Sequence, residues 1–381
     1  MAEKVLMKGN EAIAESAIRA GCRFFFGYPI TPQTELAAYM AKRMPKEGGT
    51  YLQAESEVAA INMVYGASAA GARVMTSSSS PGVSLKSEGV SYIAGADLPC
   101  LIINIERGGP GLGSIQPSQS DYWQATRALG HGDFQMVVYA PSTVQEMADL
   151  AYSAFDIADK YRTPVMILGD GMLGQMMEPV ELPERRTELP EKPWATTGHG
   201  NARPKNVANS LYLVAEELER TNFERFERYE QIKATEQMCE QVDCDDADII
   251  VVAFGASSRI ARTAVRYARE EGIKVGLFRP ITLWPFPADA LSATCDHAKA
   301  FLSVEMNMGQ MVDDVRLVVN GRAPVDFYGR TGGVLPTPEE ILVQIEALAA
   351  GEPVAKPAGA AAAASVLPHP KDRKSSYERG E

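Results

Sequence analysis

Four short segments concentrate the residue types that could hold a ligand or move a proton. The first, Gly27 to Glu35, sets Thr31 between Pro29 and Pro32. Each proline fixes φ and removes an N–H, so the loop is stiff. Thr31 can cap a helix that Pro32 opens, and a well-capped helix start is also a sufficient explanation of the segment. The second, Gln53 to Ala60, carries Glu55 and Glu57 at the head of a stretch rich in small residues. Negative charge near a helix N-terminus is favourable in itself, and that is the preferred reading for Glu55. The third, Thr76 to Gly82, places four serines after an apolar run. Their hydroxyls and amides could bind an anion or satisfy their own backbone. The fourth, Glu106 to Gly113, sets Arg107 ahead of a run of glycines at the end of a strand. Ligands of open α/β sheets gather at the carboxyl ends of strands, and a guanidinium offers paired donors to a carboxylate. The glycine spacing does not follow the dinucleotide fingerprint.

Alternating helices and strands must position these segments. Val74 to Ser77, Leu101 to Ile105, Met136 to Tyr139 and Val165 to Leu168 are short runs suited to strands buried on both faces. Asn10 is a candidate cap for a helix to Arg19, and Ser142 with Gln145 forms a capping box for one reaching Lys160. This alternation predicts a parallel α/β layer. Prolines then crowd 179–204, and a charged helix is expected over 206–241, with Phe223, Phe226 and Ile232 as its apolar stripe. A second α/β unit opens at Ile249, with Ser257 as a candidate helix cap. Thr337, Pro338 and Glu340 start its last helix. From Gly351 the composition turns to Ala, Pro, Lys and Ser, the signature of a tail without a core.

Composition limits the partners. The 381 residues carry a net charge of −12, which argues against nucleic acid and anionic membranes. No apolar run approaches the roughly 18 residues of a membrane span, and the first ten residues do not resemble a signal peptide, so a cytoplasmic location is expected. The five cysteines contain no C-x-x-C pair, so neither a disulfide framework nor an iron–sulfur cluster is expected on this chain. Cys22 and Cys100 read as core residues.

Taken in order, Tyr28-Pro29-Ile30-Thr31-Pro32, Ser56-Glu57-Val58-Ala59, Ser80-Pro81-Gly82, Arg107-Gly108-Gly109-Pro110, Gly130-His131-Gly132-Asp133 and Ala140 to Glu146 resemble the alpha subunit of 2-oxoacid:ferredoxin oxidoreductases. The resemblance covers about residues 4–345 and is strongest to the 2-oxoisovalerate branch. It implies a thiamine-diphosphate-binding, pyrimidine-type parallel-sheet domain over 1–180 and a connector with a long charged helix over 181–246. It further implies a transketolase-C-terminal-like α/β domain over 247–350, followed by a flexible tail over 351–381. Family members share thiamine diphosphate between two chains. The beta subunit supplies the Mg2+ site and a 4Fe-4S cluster, a gamma subunit and a ferredoxin-like subunit often complete the complex, and coenzyme A and ferredoxin are co-substrates.

By the same resemblance Glu57 matches the glutamate that bonds the aminopyrimidine ring. Arg107 matches the arginine that holds the substrate carboxylate, and Thr31 the threonine beside it. Tyr28, Pro29 and Ile30 would line the pyrimidine pocket. No metal ligand is expected here. Gly169-Asp170-Gly171 resembles the start of a diphosphate–metal motif, but the proline-rich connector follows it, so a domain-terminal turn is the reading. His131 and the Glu305–Gln310 segment read as structural. The alternatives are the same reaction on 2-oxoglutarate, pyruvate or an aryl 2-oxoacid, or a non-catalytic docking subunit.

Overall fold

The structure, a computed structural model, describes residues 4–355. β1 (Lys4–Lys8) leads into α1 (Gly9–Arg19). The cap is Lys8, whose N–H donates to the Glu11 carboxylate at 3.3 Å. Asn10, the expected cap, is buried, and its amide donates to the Pro32 carbonyl at 3.0 Å. β2 (Phe24–Gly27) is followed by α2 (Thr34–Arg43), whose cap position is Gln33 rather than Thr31. Gln33 is tied down on both sides of its amide. It donates to the Tyr28 carbonyl at 3.3 Å and accepts from the Ser77 hydroxyl at 2.5 Å.

β3 (Thr50–Gln53) precedes α3 (Glu57–Ala69), where the Ser56 hydroxyl accepts from the Ala59 N–H at 3.2 Å. Next come β4 (Val74–Ser78), α4 (Ser80–Gly95), β5 (Cys100–Glu106) and β6 (Val137–Tyr139). α5 (Val144–Tyr161) is capped by Thr143, one residue beyond the expected Ser142, because the Thr143 hydroxyl accepts from the Glu146 N–H at 3.0 Å. β7 (Pro164–Asp170), α6 (Gly171–Gln175) and β8 (Met177–Glu181) complete the first unit. Its sheet runs β3-β2-β4-β5-β7-β6, all parallel. Central β5 and β7 are buried along their whole length, as strands covered on both faces must be.

The connector runs to α7 (Ala215–Thr235), shorter at both ends than expected, and β9 (Cys239–Val242) is a strand. Buried Arg225 fixes this helix, donating to Asp97 at 3.0 Å and to the Gly95 carbonyl at 2.6 Å. Ile232 is buried, but Phe223 is 66% exposed, so the apolar stripe is narrower than its sequence suggests.

The second unit contains β10 (Ile249–Val252), α8 (Gly255–Glu270), β11 (Val275–Pro280), β12 (Thr282–Trp284), α9 (Ala288–Thr294), β13 (Ala300–Glu305), α10 (Met311–Val319), β14 (Val325–Gly329) and α11 (Pro338–Ala349). Its sheet runs β9-β11-β10-β13-β14, with only β9 antiparallel. Ser257 lies inside α8, where its hydroxyl donates to the Phe254 and Val304 carbonyls, so it does not cap. α11 opens with the expected Thr337–Glu340 capping box. Most of the expected tail, residues 356–381, lies outside the described residues.

The links between the units include a shared strand and a buried glutamine, beside ion pairs such as Arg279–Glu146 and Arg259–Glu178. β12 leaves the second unit and pairs antiparallel with β6, extending the first sheet. Gln119 lies between the carboxyl ends of β10 and β13, donating to the Phe254 carbonyl at 2.7 Å and accepting from the Met306 N–H at 3.0 Å.

Candidate active site

The segments singled out by residue chemistry fall together at the carboxyl edge of the first sheet. Tyr28 follows β2, Glu57 opens α3 after β3, Ser79 follows β4, and Arg107 follows β5. This edge is where an open parallel sheet leaves a crevice for ligands.

Glu57 is 6% exposed, whereas Glu55 faces solvent, which separates the two carboxylates. The wall behind Glu57 is Gly82, near the start of α4. A Cβ added there would meet the Ser78 hydroxyl at 2.2 Å and Glu57 Oε1 at 2.7 Å. The absent side chain is therefore what allows the glutamate to occupy this place. Arg107 is 7% exposed, and its terminal nitrogens donate to the carbonyls of Thr31 at 3.0 Å and Leu112 at 3.1 Å. Arg107 and Thr31 are thus neighbours, joined through the threonine backbone. The Thr31 side chain itself is exposed, as are Tyr28 and Pro29, and Ile30 is half-buried.

The rim has unmet polar capacity. The hydroxyls of Ser78 and Ser79 and the Nε of Arg107 are buried without a hydrogen-bond partner. Buried orphans are uncommon in native proteins, and a polar ligand in the crevice would supply what they lack. This donor set suits an anionic, nitrogen-containing ligand, so the residues present fit thiamine diphosphate and a 2-oxoacid.

A polar chain supports the Arg107 turn. The Ser80 N–H donates to the Asn104 side chain at 3.0 Å, Asn104 donates to Asp121 at 2.9 Å, and the Asp121 N–H donates to Glu106 at 2.7 Å. Burial first, then the neighbouring charges of Asp121 and Asp170, pushes the Glu106 carboxyl well above its usual range. Burial likewise raises Asp170 to about 6, against the pull of the Leu173 and Met172 N–H groups that it caps. Asp170 is thus the N-cap of α6. Sequence reasoning passed over Gln33, Gln119 and Lys86. The first two carry no charge to draw attention, and Lys86 stands six residues inside a helix.

The remaining candidates lie apart. His131 is exposed, and its carbonyl accepts from the Ser91 hydroxyl at 2.6 Å. Glu305 is fully buried and accepts from the N–H groups of Gln310, Met311 and Val312, so it anchors the start of α10. Cys22 and Cys100 are core residues, and burial pushes each thiol up to about 12. Among the described residues, no helix is long and apolar enough to cross a membrane.

Fold and crevice define a two-domain α/β protein of the thiamine-diphosphate-binding class. Residues 15–243 match the family described as "Pyruvate flavodoxin/ferredoxin oxidoreductase, thiamine diP-bdg", and residues 247–341 match "Pyruvate:ferredoxin oxidoreductase core domain II". The chain belongs to the 2-oxoacid:ferredoxin oxidoreductase family, as an alpha-type subunit with a transketolase-C-terminal-like second unit. It is 49% identical to "Ketoisovalerate oxidoreductase subunit VorB" of Methanothermobacter thermautotrophicus, over 90% of this chain and 97% of the relative. It is 37% identical to "2-oxoglutarate synthase subunit KorA" of the same organism, over 91% and 99%. Among solved structures it resembles the 2-oxoglutarate:ferredoxin oxidoreductase of Magnetococcus marinus, with a TM-score of 0.81 and 29% identity. That match covers 91% of this chain and 65% of the longer chain in that structure.

Proposed function

We propose that this chain is the pyrimidine-side subunit of a complex that oxidatively decarboxylates a branched-chain 2-oxoacid. The products are an acyl-coenzyme A, carbon dioxide and reduced ferredoxin. The observation that carries the reading is the placement, at one edge of the first sheet, of a buried carboxylate, Glu57, and a buried guanidinium, Arg107, that keeps an unpartnered donor. The branched-chain substrate is supported by the higher identity to the ketoisovalerate relative than to the 2-oxoglutarate one.

When bound, thiamine diphosphate supplies the nucleophilic carbon that adds to the ketone. Glu57 would hold a proton in common with a ring nitrogen, its place fixed by the Ser56 cap and by the space over Gly82. Arg107 would pair with the substrate carboxylate, which needs a fixed cation in a partly dry site. Thr31 sits beside it, and Tyr28, Pro29 and Ile30 would form the wall against the pyrimidine. Their exposure in the single chain is what a site completed by a second chain requires. A beta subunit would supply Mg2+, the diphosphate contacts and a 4Fe-4S cluster, with gamma and ferredoxin-like subunits completing the complex. The working units would be 1–180 and 247–350, linked by 181–246, and the location cytoplasmic.

The test is a substrate panel on the purified complex, with ferredoxin or viologen as acceptor and coenzyme A present. The highest kcat/KM is expected for 3-methyl-2-oxobutanoate. A preference for 2-oxoglutarate or pyruvate would refute the substrate assignment, and no turnover of any 2-oxoacid by a cofactor-loaded complex would favour a docking role.

A further inference from the structure

Lys86 is a charged side chain sealed inside this molecule, at 0% exposure, and nothing in the reaction described above uses it. Its Nζ donates to the Thr76 hydroxyl at 2.6 Å and the Ser77 carbonyl at 3.2 Å, neither of them charged. A buried ammonium without a bonded carboxylate is costly, and a methionine would fill the same space without that cost. A packing role therefore does not explain a lysine.

Its surroundings do. Gly82, Lys86 and Gly89 are spaced four and three residues apart on α4, so they share one face of the helix. That face presses on the start of α3. A Cβ on Gly82 would meet Glu57 Oε1 at 2.7 Å, and one on Gly89 would meet Ile61 Cγ2 at 2.4 Å. The two glycines bring the helices together, and Lys86 is the residue between them. Glu57 is the charged group that acts on it, opposing the burial that pulls the lysine down to about 7. The other acids at this edge, Glu106, Asp121 and Asp170, act on one another, and from β4 Lys86 meets only the Thr76 hydroxyl and the Ser77 carbonyl.

We propose that Lys86 is a positioning residue for Glu57: its buried cation governs how readily the Glu57 carboxylate takes up the proton that it shares with the pyrimidine ring. This rests on the reading of Glu57 as the residue facing the cofactor. The proton comes from bulk solvent on binding, and no covalent bond changes. A buried cation near a carboxylate opposes protonation of that carboxylate, and a neutral side chain in its place does not.

The test is a double-mutant cycle on the assembled complex, read as the affinity for thiamine diphosphate from pH 6 to 9 by fluorescence titration, a measurement independent of turnover. Lys86→Met should tighten binding about tenfold near pH 6.5, the size expected of one unit charge at partly screened range. The difference should vanish toward pH 8.5, where Lys86 of the wild type is itself neutral. In a Glu57→Gln background the same substitution should change nothing at any pH. Lys86→Gln, which keeps an N–H donor for Thr76 and Ser77, should behave as Lys86→Met does. Equal effects in both backgrounds, or no effect in a fully assembled complex, would overturn the proposal. Loss of assembly in both variants would assign Lys86 to folding and also overturn it. If Glu57→Gln itself leaves the affinity and its pH dependence unchanged, the reading of Glu57 fails first.

Discussion

Gly82→Ala is the smallest change that should disable the crevice. The added methyl would stand 2.7 Å from Glu57 Oε1 and 2.2 Å from the Ser78 hydroxyl, against ordinary contacts that begin at 3.4 Å. The carboxylate must retreat by at least about 0.7 Å, or α4 must move away from α3. Overpacking of this kind typically costs about 1–3 kcal/mol of stability. Displacing a reacting group by about 1 Å costs on the order of 10²-fold in rate. The assay is paired: thermal unfolding of the complex, and kcat with saturating 2-oxoacid and thiamine diphosphate. The expected result is a folded complex with kcat reduced about a hundredfold. Turnover within a factor of two of wild type, with the alanine confirmed, would show that the space over Gly82 does not set the position of Glu57.

Arg107→Ala should weaken apparent 2-oxoacid affinity by about 2–5 kcal/mol, the usual cost of truncating one partner of a buried charged pair, while thiamine diphosphate occupancy survives; an unchanged 2-oxoacid dependence would remove Arg107 as the carboxylate anchor. Asp170 is raised from 3.8 to about 6 in the folded chain, so its contribution to stability is present below pH 3.8 and lost as the pH rises through 6. Asp170→Asn should flatten that part of the stability–pH curve, measured by denaturant unfolding at pH 4.5 and 7, and an unaltered slope would contradict it. Gln119→Ala removes the bonds to Phe254 and Met306 and leaves buried groups unpaired, so a loss of about 1–3 kcal/mol is expected; unfolding of the two units at separate temperatures would be its signature.

Much of this architecture is legible in sequence because a parallel sheet buries both faces, and continuous apolar runs such as Val165 to Leu168 have no other use. The α11 start is equally plain, since cap, proline and glutamate act within one turn. Local reading failed where distant partners decide. Asn10 is a good cap in isolation, yet its amide is drawn to the Pro32 carbonyl. Thr31 gives way to Gln33, which is held by Tyr28 and Ser77 from two other segments. The 206–241 helix shortens because only the part anchored through Arg225 and Ile232 has something to pack against. β12 could not be read as an edge strand of the other unit's sheet, because sequence periodicity carries no information about which sheet a strand joins. At the site, Arg107 stood out by type and Glu57 by the family resemblance, while Lys86 needed the α3–α4 contact to acquire meaning.

The proposed role of Glu57 is to share a proton with the cofactor of a thiamine-diphosphate-dependent complex. The direct measurement is steady-state oxidation of 3-methyl-2-oxobutanoate by the complex carrying Glu57→Gln, with subunit composition checked in the same preparation. The substitution keeps size and hydrogen bonding but cannot exchange a proton. The expected result is an intact complex whose turnover falls by about 10²–10⁴-fold, the range of general acid–base contributions. An intact complex with near-normal turnover would contradict that role for Glu57.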